Sequence, residues 1–85
     1  MTAHTQENFD NFYRLLTEAY ADLFVTSDEY AYAATQTTPA ELARKMTIGL
    51  DTGSANKDGE GIRRVCKKLG IPHTYKAIRA YLSEK

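Results

Sequence analysis

"EGIRRVCKKLG", residues 60–70, decides how the chain is read. Ile62, Val65, Cys66 and Leu69 stand at i, i+3, i+4 and i+7, which places them on one face of an α-helix. Arg63, Arg64, Lys67 and Lys68 cover the other side, and the later ones suit the negative end of the helix dipole. Gly70 follows as the residue that ends the helix, and Pro72 prevents simple continuation.

The same logic extends outward in both directions. Thr74 can cap a last helix, "YKAIRAYLSEK", residues 75–85, with Tyr75, Ile78 and Leu82 inward and Ala77 and Tyr81 flanking. Upstream, "DTGSANKDGEG", residues 51–61, is a loop by composition. Before it, Thr38, Pro39 and Glu41 form a capping box with proline at the first helical position. Leu42, Ala43, Met46 and Leu50 then share a face. Gly49 costs a helix roughly 1 kcal/mol relative to alanine, so this helix ends near Gly49 or at Gly53.

Residues 5–25 read as a long amphipathic helix capped by Thr5. Phe9, Phe12, Tyr13, Leu16, Tyr20, Leu23 and Phe24 recur along it at three- and four-residue steps. Residues 26–36 admit two readings. Thr26 or Ser27 can cap a short helix holding Tyr30 and Ala33, or Tyr30-Ala31-Tyr32 can run extended. The sum is an all-α fold, a single domain over residues 1–85 with four or five helices in a compact bundle. Its expected core is Phe12, Leu16, Leu23, Leu42, Met46, Ile62, Val65, Leu69, Ile71, Ile78 and Leu82.

Composition bounds the function. Hydrophobic residues at 42% and charged residues at 26% exclude a long disordered chain. Cys66 is the one cysteine, so no internal disulfide can form, which fits a reducing, cytoplasmic setting. The first ten residues lack the basic and apolar regions of a signal peptide, and no apolar run reaches membrane-spanning length. Charge is balanced overall but split along the chain. Residues 1–40 carry six acids against Arg14, a net of −5. Residues 41–85 carry ten Lys and Arg against five acids, a net of +5. That split suits a nucleic-acid surface, an acidic interaction surface, or mutual attraction of the two halves.

Catalytic and metal chemistry find little support. Asp51-Thr52-Gly53-Ser54 matches the short signature of aspartic proteases. Those enzymes place it on loops between β-strands and pair two copies to share a proton. Here it follows a capped helix and occurs once. Ser54, Asn56 and Asp58 alternate before Gly59 as in a calcium-binding loop, but the required glutamate at the twelfth place is Val65. Gly59 to Gly61 open a helix N-terminus where an anion could sit. His4 and His73 have no neighbours that make a metal or nucleophile pattern. Cys66 reads as a small buried hydrophobe. The expectation is a non-enzymatic protein without cofactor or metal.

Residues 61–82, "GIRRVCKKLGIPHTYKAIRAYL", resemble a helix-turn-helix of DNA-binding proteins. Cys66 stands where that motif has a small residue four positions before the turn glycine, here Gly70. Val65, Leu69 and Ile71 match the flanking apolar positions. The pattern departs after the turn, where Lys76 replaces the apolar residue expected six positions after the glycine. The resemblance implies a recognition helix starting near Thr74. It implies phosphate contacts from Arg63, Arg64, Lys67 and Lys68, and groove contacts from His73, Thr74, Lys76 and Arg79. The implied protein is a DNA-binding accessory or regulator of transcription.

The competing expectation is a small interaction or inhibitor module of the kind phages and plasmids carry. Its contact surface would be the acidic, tyrosine-rich first half, facing a protein partner. A third is a homodimer in which the acidic half of one copy meets the basic half of another.

Overall fold

The structure is a computed structural model that describes residues 2–83. Five α-helices and one 3-10 turn account for its regular elements: α1 (Thr2–Thr26), the 3-10 turn (Asp28–Tyr30), α2 (Ala31–Gln36), α3 (Pro39–Thr52), α4 (Glu60–Leu69) and α5 (Tyr75–Ser83). The all-α expectation holds. α1 is the hub, and α3, α4 and α5 all pack along it, while α3 also packs on α5. α2 folds back on the C-terminal end of α1.

The aromatic stripe of α1 makes it the hub. Phe12, Leu16, Tyr20 and Leu23 point inward and are at most 3% exposed. They meet Ala43 and Leu50 of α3, Ile62, Val65 and Cys66 of α4, and Ile78 and Leu82 of α5 in one cluster. Leu42, Met46, Leu69 and Ile71 are half-buried against its edge. Thr47 is the one fully buried polar residue among those described, and its hydroxyl donates to the Ala43 carbonyl at 2.7 Å. Tyr81 fastens α5 to α1. Its hydroxyl accepts from Asn11 Nδ2 at 2.8 Å, and its carbonyl accepts from Asn8 Nδ2 at 3.0 Å.

The helix ends follow their local chemistry. Thr38 Oγ1 accepts from the Glu41 amide at 3.1 Å, a cap typically worth about 1 kcal/mol. Thr74 Oγ1 accepts from the Ala77 amide at 3.1 Å in the same way. Gly70 closes α4 at φ 70, where only glycine is unstrained, and the Ile71 amide returns to the Cys66 carbonyl at 3.1 Å. A side chain at Gly70 would meet nothing within 4 Å, so backbone freedom alone explains this glycine.

Several expectations change. α1 begins at Thr2, so Thr5 lies inside it rather than capping it. No glycine or proline interrupts residues 2–5, and nothing local stops the helix there. Of the two ends expected for α3 the later one holds: the helix runs through Gly49 to Thr52 and ends at Gly53, φ 83. Gly49 is tolerated because Ala55 folds back onto it. A Cβ at position 49 would lie 2.6 Å from the Ala55 Cβ. Asp51 and Thr52 are thus helical, and the loop is residues 53–59. In that loop Asn56 Oδ1 accepts from the Asp58 amide at 2.9 Å, and the Ser54 and Thr52 hydroxyls are 3.1 Å apart. Residues 26–36 adopt the helical alternative, split between the 3-10 turn and α2. Residues 84 and 85, expected to extend the last helix, lie outside the described residues.

Tyr75 is 41% exposed rather than inward. As the first residue of α5 it lies beyond the end of the core. Its hydroxyl accepts from the Lys57 amide at 3.3 Å, over the loop.

Candidate nucleic-acid interface

The eight candidate contact residues fall into three groups. On α4, Arg63 and Arg64 are engaged by acids. Arg64 Nη1 donates to Asp22 Oδ2 of α1 at 2.8 Å, and its Nε donates to Glu60 Oε2 at 3.4 Å. Asp22 holds the Arg64 guanidinium protonated to still higher pH than usual. Arg63 Nε donates to Glu60 Oε1 at 3.3 Å from an exposed side chain. The two arginines together keep the Glu60 carboxyl below the ordinary carboxylate range. The attraction between acidic and basic halves is therefore partly intramolecular. Solvent screens exposed pairs of this kind, so each contributes little to stability. Lys67 and Lys68 are exposed, and Lys68 borders a narrow cleft with Glu18 and Asp22 of α1.

His73 and Thr74 are tied to the turn. His73 Nε2 donates to the Lys57 carbonyl at 2.6 Å, since a carbonyl can only accept. The Thr74 hydroxyl accepts the Ala77 amide as the cap of α5. Lys76 and Arg79 form the third group. Both are exposed, and with Tyr75, Ala80 and Ser83 they line an open concavity on α5. The small Ala80 leaves the hollow. No ion pair joins Lys76 or Arg79 to an acid among the described residues.

Two neighbours of this face escape sequence spacing. Lys57 lies 18 positions from Tyr75, yet its ammonium sits 5.6 Å from the centre of the Tyr75 ring. It also pairs with Asp58 at 2.7 Å, which lowers the Asp58 carboxyl and raises the ammonium. No local motif encodes that approach. Lys57, Tyr75, Lys76 and Arg79 are an aromatic-plus-cation set of the kind that meets a phosphate backbone and base edges.

Comparison with known proteins finds no family model, curated protein or solved structure that matches the chain. The chemistry of the surface therefore carries the functional argument alone.

The other candidate sites are occupied from within. The glycines at the start of α4 receive tyrosines. Tyr30 Oη accepts the Gly61 amide at 3.2 Å, and a Cβ at Gly61 would fall 2.4 Å from Tyr20 Cε1. The place an anion would take at this helix end holds the Tyr30 hydroxyl. Among the described residues no three His, Cys, Asp or Glu side chains converge as a metal site, and no helix is long and apolar enough to cross a membrane. Cys66 is 2% exposed, and burial pushes its thiol pKa up. Its reaction with a thiol reagent is expected to be at least about a hundredfold slower in the native protein than in denaturant. Equal rates in a timed labelling assay would show that the thiol is not protected.

Proposed function

We propose that this chain is a small, non-enzymatic, cytoplasmic DNA-binding protein with an accessory or regulatory role in transcription. The observation that carries the reading is the α5 face. Lys76 and Arg79 flank an open hollow beside the exposed Tyr75, without acidic partners among the described residues. α5 serves as the helix offered to the groove, and the exposed Lys67 on α4 supplies a phosphate contact.

This reading narrows the set implied by the helix-turn-helix resemblance. Arg64 belongs to the fold through Asp22. His73 and Thr74 hold the turn that aims α5. Lys76, where the motif has an apolar residue, serves the surface instead of the core.

The test is an amide NMR titration with a short generic duplex, repeated with rising salt. Shifts centred on residues 75–79 are expected. Neutralisation of three phosphate charges by Lys67, Lys76 and Arg79 gives a logarithmic salt slope of about −2.7, or about fortyfold weaker binding between 50 and 200 mM salt. Lys76→Glu with Arg79→Glu is expected to lose at least about tenfold in affinity, while Arg64→Ala changes it little. An absence of shifts at low salt sinks the proposal, since a DNA-binding domain binds generic duplex under those conditions.

A further inference from the structure

Two patches of the surface carry what the core leaves out. α2 buries no residue completely, and a six-residue helix has little stability of its own. Yet its Tyr32 is 75% exposed, and Val25, at the end of α1, is 82% exposed. The sequence around them is acidic, although Asp22 pairs with Arg64 at 2.8 Å and Glu18 with Arg14 at 3.3 Å. Residues 15–43 contain Glu18, Asp22, Asp28, Glu29 and Glu41 and no lysine or arginine. Asp28 and Glu29 are exposed in the 3-10 turn between Val25 and Tyr32.

The remaining exposed large hydrophobics among the described residues are Ile48 and Tyr75. Both stand among cations. Arg44 and Lys45 lie one turn before Ile48 on α3, and Lys76 and Arg79 follow Tyr75 on α5. Asp28 and Glu29 thus stand between Val25 and Tyr32, and Lys76 and Arg79 beside Tyr75, without ion pairs among the described residues, and the signs are opposite. Charge complementarity of this kind fixes partner and register, while aromatic anchors supply the desolvated centre of a contact.

We infer that the acidic α1–α2 corner docks onto the basic face of a second copy of this chain. A reciprocal pair makes the contact twice, whereas an open chain of copies leaves one surface of each kind unused at its ends. The pair is therefore the favoured form. The inference does not depend on DNA binding, and its failure would leave that proposal standing.

Sedimentation of the full chain over a rising concentration series tests it. At low salt the mass is expected to approach twice that of the monomer, and 0.5 M salt is expected to reverse this because rim charges are screened. Asp28→Lys with Glu29→Lys should remain monomeric where the natural chain pairs. Lys76→Glu with Arg79→Glu should do the same. An equal mixture of the two variants should pair, because each variant's altered face then meets its opposite. Tyr32→Ala should weaken pairing about tenfold. Circular dichroism checks that every variant keeps its helices. The inference is overturned if the natural chain stays monomeric throughout, if both charge variants pair as it does, or if the mixture stays monomeric.

Discussion

Phe12→Ala is expected to destabilise the protein by about 3–5 kcal/mol. Phe12 is 0% exposed on the helix that every other long helix touches. Its ring centre lies 6.4 Å from that of Tyr81, so truncation also removes an aromatic neighbour from the residue that fastens α5. A domain of this length has about 4–13 kcal/mol of stability in total. The substitution therefore removes a large fraction of it, and at the lower limit it leaves the chain largely unfolded at room temperature. Urea denaturation followed by circular dichroism reads the effect. Val25→Ala, on the same helix but 82% exposed, is the control and should move the midpoint little. If the two variants shift the midpoint equally, the packing of α1 described above is wrong.

What could be read in advance has a physical pattern. Periodicity is local, so the apolar faces of α1, α4 and α5 are legible, and seven of the expected core residues prove at most 3% exposed. Capping is local as well, and Thr38, Thr74 and Gly70 act as their positions imply. Gly49 misleads because the local cost of a helical glycine is outweighed by a contact six residues away, with Ala55. Tyr75 misleads because periodicity gives a direction but not where the core ends.

The candidate interface divides along the same line. Its cations are visible in the sequence, but their partners are not. Asp22 and Arg64 are 42 positions apart, and no spacing rule distinguishes Arg64 from Lys67 or Arg79. Once the acids have taken Arg64 and Arg63, the candidate cations left without an ion pair among the described residues are Lys67 and Lys68 on α4 and Lys76 and Arg79 on α5. The attraction between halves is present in Asp22 and Arg64, while the remaining candidate cations take no acid among the described residues.

Gly61→Ala is expected to lower stability by about 1–2 kcal/mol, against the usual direction of such a change. In a helix, glycine to alanine ordinarily gains up to about 1 kcal/mol. Here the new Cβ would fall 2.4 Å from Tyr20 Cε1 and 2.9 Å from Cδ1, closer than atoms approach. The ring has little room to yield. Tyr20 is 2% exposed, and its ring centre is 5.7 Å from that of Tyr30 and 6.1 Å from that of Phe24. Overpacking of this kind typically costs about 1–3 kcal/mol, which outweighs the helical gain. Moving α4 away instead would stretch the bond from the Gly61 amide to Tyr30 Oη, which ties the α1–α2 corner to the basic helix. The double variant Gly61→Ala with Tyr20→Leu separates the two contributions. The smaller leucine side chain makes space for the methyl group, so Gly61→Ala should cost less in the Tyr20→Leu background than in the natural chain. If Gly61→Ala alone raises the urea midpoint, then α4 does not sit against Tyr20 as closely as the structure places it.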